Sequence, residues 1–186
     1  MSEYALFILF ALLAGLLSSI AGGIVGSYVV VKRIVFIAGS IAHSVLGGMG
    51  LAIYLQRTAN LPWLMPIYGA LVFALIAAYL IGWIHLKFRQ REDTVIAAIW
   101  ASGMAMGVIF LSLTPGYNTE VINFLFGNIL WTSSTDLITL LILDLVVIVI
   151  ALLFHRRFLA ICFDETQATL QGLSTKNLYF LLLSLI

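Results

Sequence analysis

Long apolar runs separated by short polar breaks set the rhythm of this chain. Tyr4–Val31, Ile34–Leu55, Trp63–Ile84 and Thr94–Leu113 are each long enough to cross a bilayer, and Leu137–Phe154 is slightly short. A spanning helix needs about 20 mostly apolar residues. A sixth run starts at Leu178 and reaches Ile186, nine residues that cannot span. The pattern predicts an all-α, polytopic transmembrane bundle as a single domain over residues 1–186, with five full spans and the start of a sixth. The short last run makes the chain read as a fragment, truncated at its C-terminus.

The polar breaks carry an orientation signal. Eight of the nine Lys and Arg fall in alternate breaks: Lys32 and Arg33; Lys87, Arg89 and Arg91; Arg156, Arg157 and Lys176. Arg57 alone lies on the other side. Positive charge favours the cytoplasmic face, which places the N-terminus outside. Trp63, Tyr68, Tyr117 and Trp131 then fall near the outer interface. In the long outer connection Thr114–Asp136, the stretch EVINFLFGNILW is too short to span and too apolar for a free loop. It reads as a short interfacial or re-entrant helix broken near Gly127.

Composition agrees. Only 9% of the residues are charged, against about 25% in a soluble domain, so lipid is the solvent of most of the surface. The net charge of +1 gives no reason to expect nucleic acid. A single cysteine, Cys162, excludes an intrachain disulfide and a cysteine-based zinc site. The N-terminus MSEY lacks the basic region of a cleavable signal peptide. No HExxH, GxSxG or GxxxxGK[ST] motif occurs, so the sequence gives no enzyme signature and no P-loop with which the chain could hydrolyse ATP by itself.

Small residues recur at helical spacing. The first span carries Gly15, Ser19 and Gly23 beside Ser18, Gly22 and Gly26, and the fourth carries Gly103 and Gly107. Such stripes let helix backbones approach closely in lipid. The second span differs. Gly39, Ser40, His43, Ser44, Gly47 and Gly50 share one face. That face is small, polar and carries an imidazole, which suits the lining of a pathway or a close dimer contact.

His43 has two readings. One is an interhelical hydrogen bond. The other is a metal ligand on a translocation path, because ionisable groups inside a membrane are commonly functional and neutral imidazole is the commonest metal-ligating side chain. Asp144, in LLILDLVVIV, needs a partner or water at its depth. It can face the pathway and bind a cation, pair with a residue of helices beyond this sequence, or support an oligomer contact. His85 and His155 read as interfacial groups, and Glu120 and Asp136 as solvated charges or a weak cation lure.

The segment Phe163–Asn177, FDETQATLQGLSTKN, is polar between two apolar runs. Asp164, Glu165 and Thr166 can cap and charge a helix start, and Gly172 is placed to end it. A short amphipathic helix is predicted there, either a connector or a docking element for a soluble partner.

Four segments, in order, resemble the integral-membrane permeases of bacterial and archaeal ABC importers for zinc, manganese or iron. They are GSYVVVKRIVFIAGSIAHSVLGGMGL, REDTVIAAIWASGMAMGVIFLSL, NFLFGNIL and FDETQATLQGL. The likeness runs from about Gly26 to Leu173. It implies an eight- or nine-helix permease of the cytoplasmic membrane, working as a homodimer with two cytoplasmic ATPase subunits and an extracytoplasmic metal-binding protein. The divalent metal ion is the transported substrate, and no cofactor is held permanently. Residues 163–173 would form the coupling helix in the ATPase groove, with Asp164, Glu165, Ala168 and Gly172 matching the pattern. His43 would be the transit ligand, with Asp144 a weaker candidate and Gly39, Ser40, Ser44 and Gly47 beside the path. The family usually has Gly-Asp-Ala-Ile-Ser-His-Ala here, whereas this chain has Gly39 in place of the Asp, Ala42 in place of the Ser and Gly47 in place of a Pro. The missing carboxylate tilts away from manganese, which favours oxygen ligands. Two other readings are a permease for a corrinoid or siderophore chelate, and a secondary cation transporter or channel.

Overall fold

A computed structural model describes residues 3–88, 92–115 and 133–186, and among them it is wholly helical. Seven helices follow in order: α1 (Glu3–Lys32), α2 (Val35–Thr58), α3 (Pro66–Phe88), α4 (Glu92–Leu113), α5 (Ser134–Phe163), α6 (Glu165–Leu170) and α7 (Thr175–Ser184). Five of them, α1 to α5, are long and apolar enough to cross a membrane. Tyr117, Glu120, Gly127, Trp131 and the expected outer helix lie outside the described residues, as do Arg89 and Arg91.

The chain forms two compact units. One contains α1, α5 and α6; the other contains α2, α3, α4 and α7. In the first unit α1 and α5 run parallel. Tyr28 meets His155 and Phe158, and Lys32 reaches Ile161 and Glu165, a steady offset along both helices. Most of α1 remains exposed, as a lipid-facing helix would be. A Cβ placed on Gly15, Gly22, Gly23 or Gly26 would meet nothing within 4 Å among the described residues. The small-residue stripe of α1 therefore makes no close packing with the described residues.

In the second unit α2 is the central helix, packed on both α3 and α4. Its neighbours are antiparallel and parallel respectively: Gly48 lies against Gly69 of α3, while Gly50 lies against Gly107 of α4. A Cβ on Gly69 would come within 2.7 Å of the Ala52 Cβ, and one on Gly107 within 2.8 Å of the Leu46 carbonyl. Both approaches depend on the absent side chains. The last helix, α7, lies along α3, with Phe180 stacked on Tyr79 at 5.4 Å.

The fifth span runs longer at both ends than the hydrophobic pattern predicts. The fifth span starts at Ser134 because Ser133 and Asp136 form a capping box: the Asp136 amide donates to Ser133 Oγ, and the Ser133 amide donates to the Asp136 carboxylate. Asp136 thus has a local structural role that its charge alone did not reveal. The same helix continues through His155, Arg156 and Arg157 to Phe163, because Phe158 and Ile161 are fully buried.

Candidate functional site around His43

His43 sits eight residues into α2, about 12 Å along the axis at 1.5 Å per residue. Its ring stacks on the Trp100 indole of α4, with centroids 4.3 Å apart and planes 15° from parallel. The half-buried imidazole has no hydrogen bond to either ring nitrogen among the described residues. The stack on Trp100 therefore holds the ring by its face.

The residues around it belong to the α2–α4 contact. Ser40 is fully buried, and its hydroxyl donates to the Ile96 carbonyl at 2.9 Å. Ser44 is buried and turns its hydroxyl back on the Ile41 carbonyl at 2.7 Å. A Cβ on Gly103 would strike Ser44, and one on Gly47 would lie 3.0 Å from the Gly103 carbonyl. The small, polar face of α2 is thus closed by α4 of the same chain. Its buried serines and Gly47 pack closely against α4. At the far end of the same contact, Arg57 donates to the Pro115 carbonyl at 3.2 Å.

Gly39 lies under the same indole. A Cβ built there would approach the Trp100 ring to 3.2 Å. Trp100 therefore occupies the space a larger side chain at position 39 would need. The sequence pattern did not single out Trp100, since one tryptophan in an apolar helix resembles a lipid-facing residue.

The second group of candidates lies at the end of the other unit. Asp164 caps α6, accepting from the amides of Thr166 at 2.8 Å and Gln167 at 3.0 Å. The helix ends in a Schellman turn. The Leu173 amide donates to the Ala168 carbonyl, the Gly172 amide donates to the Thr169 carbonyl, and Gly172 has φ +80°. Only glycine adopts that conformation without cost. Ala168 is buried, whereas Leu170 is 84% exposed. Glu165 pairs with Lys32 at the end of α1. Both carboxylates thus have partners within the chain, while Asp164 and Glu165 themselves stay exposed beside Leu170.

Asp144 is buried within α5, 7% exposed, and its Oδ2 has no hydrogen-bond partner among the described residues. No group of three His, Cys, Asp or Glu side chains converges among the described residues. His155, read as an interfacial group, meets the buried Tyr28 hydroxyl at 2.6 Å. His85 packs its ring against Tyr179, with centroids 5.0 Å apart.

The sequence profile of the ABC 3 transport family matches residues 4–186. This chain belongs to the ABC 3 transport family. Among its relatives, a probable metal transport system membrane protein of Chlamydia pneumoniae is 54% identical over 173 residues, covering 93% of this chain and 59% of the relative. The manganese transport system membrane protein MntC of Listeria monocytogenes is 29% identical over 176 residues, covering 95% of this chain and 60% of the relative. The solved structure of PsaBC from Streptococcus pneumoniae in complex with Fab superposes with a TM-score of 0.80 at 27% identity. That match covers 96% of this chain and 62% of the other. The chain thus spans about three fifths of the ABC 3 relatives it matches. The all-helical architecture and the multi-pass membrane character expected from the sequence agree with this membership.

Proposed function

We propose that the chain is part of the membrane permease of an ABC importer that carries a divalent transition-metal ion, zinc, manganese or iron, into the cytoplasm. The observation that carries this reading is the His43 imidazole, stacked on Trp100 inside a membrane-spanning helix, with neither ring nitrogen hydrogen-bonded among the described residues. A single imidazole is a weak ligand set, which suits transit, because a conducted ion must leave as readily as it enters. Family membership favours an ABC permease over a secondary transporter or channel. The metal named for the relatives favours an ion over a chelate.

The working assembly on this reading is two permease copies, two cytoplasmic ATPase subunits and an extracytoplasmic metal-binding protein. α6 is the coupling helix. Its exposed Leu170 and the nearby Phe163, 79% exposed, supply the apolar docking side. The N-terminus lies outside, and Lys32, Arg156, Arg157 and Lys176 lie at the cytoplasmic face.

The test is uptake by the full-length permease assembled with its ATPase and binding protein. His43→Ala is expected to reduce uptake of radiolabelled zinc or manganese by at least about tenfold, a loss of roughly 1.4 kcal/mol in the transit step, with unchanged expression and ATPase assembly. Undiminished uptake removes His43 from the mechanism. Asp144→Asn in the same assay assigns the other candidate: retained uptake makes it a structural carboxylate.

A further inference from the structure

We propose that Lys32 is a positioning residue that holds α6 in its docking pose by tying it to α1. The inference rests on the reading of α6 as the coupling element of an ABC permease.

Three helix ends meet at this ammonium. Lys32 is the last residue of α1; its Nζ donates to the Ile161 carbonyl at 2.8 Å and pairs with the Glu165 carboxylate. The Ile161 carbonyl belongs to the last turn of α5. A continuing helix would give it the amide of residue 165, but Asp164 is extended at φ −153° and ψ 104° and breaks the run. A cation is favoured at such a helix end, where carbonyls lack partners and the dipole is negative. Lys32 fills that place.

Burial shows which partner is anchored. The Lys32 side chain is 15% exposed and that of Glu165 is 47% exposed. The ammonium is held on the protected side, and the start of α6 is drawn to it. Six residues do not make a helix stable on its own, so what fixes α6 matters for its pose. Asp164 and Gly172 shape its two ends. The Lys32–Glu165 pair joins it to a membrane-spanning helix. A push delivered to α6 therefore reaches α1 through this tie as well as through the direct link to α5.

The complete transporter, reconstituted in proteoliposomes with Mn²⁺ or Zn²⁺ as the probe ion, tests this role. Lys32→Met keeps the apolar stem and removes the charge. It is expected to leave ATPase assembly and ATP hydrolysis in place, while ions moved per ATP fall at least about fivefold. Lys32→Arg should restore the ratio, a rescue that a merely space-filling role would not show. Glu165→Gln, at a half-exposed position, should reproduce the Lys32→Met effect and serves if that variant folds poorly. In parallel, hydrogen exchange at the amides of Glu165–Leu170 should accelerate about tenfold in either variant. Unchanged exchange with an unchanged ion-to-ATP ratio overturns the proposal. A wild-type transporter that hydrolyses ATP but moves neither ion overturns the metal-permease reading instead, and the exchange measurement still decides the tie.

Discussion

Trp100 and Gly39 govern the setting of His43. A stacked ring pair contributes about 0.5–1.5 kcal/mol beyond its buried area, enough to orient an imidazole that has no hydrogen bond among the described residues. The same indole leaves Gly39 no room for a carboxylate without movement. Gly39→Asp is therefore expected to lower the melting temperature of the detergent-solubilised protein. Combined with Trp100→Ala, it should cost less than the sum of the two single changes, a coupling of about 0.5–3 kcal/mol. Strict additivity in that cycle would separate the two positions. Ser40→Ala should cost about 0.6 kcal/mol, the average for a hydrogen bond between membrane helices. His43 was legible in the sequence because an ionisable group stands out in an apolar run. Trp100 was not, because nothing in the spacing of one aromatic residue says which helix it faces.

Stripes of small residues look alike in sequence and behave differently as elements. Those of α2 and α4 close on each other, while a Cβ on the glycines of α1 would meet none of the described residues. Spacing reports that a helix can be approached, and only the fold reports by what. The contrast is measurable in unfolding titrations. Gly15→Ala should be neutral or stabilise by up to about 1 kcal/mol through helix propensity. Gly107→Leu should destabilise by about 1–3 kcal/mol through overpacking. Destabilisation by Gly15→Ala would mean that the α1 stripe is covered in the assembly. The α6 cap and stop were legible for the opposite reason, since Asp164 and Gly172 act locally on their own backbone. Their tie to Lys32 was not, because it joins positions 133 residues apart.

At the scale of the whole molecule, the helix directions can be read within each of the two units. α1 runs parallel to α5, and α2 runs parallel to α4 and antiparallel to α3, as alternate crossings of one membrane require. In a Cys162→Ser background, Gln171→Cys should react with an impermeant maleimide only from the cytoplasmic side, and Ala59→Cys only from the outside. Reversed labelling would invert the proposed orientation. Parallel pairing also has a consequence in time. Ser44 and Gly103 touch in the finished fold, and ribosomes add about 5–20 residues per second. The glycine face of α2 therefore waits roughly 3–12 s for α4 to be made, while the α3 hairpin partner arrives sooner. Tyr28 waits about 6–25 s for the helix that carries His155. For that interval the newborn chain has its most polar membrane helix only half covered, so the insertion machinery, or lipid, must shield it before the fold can.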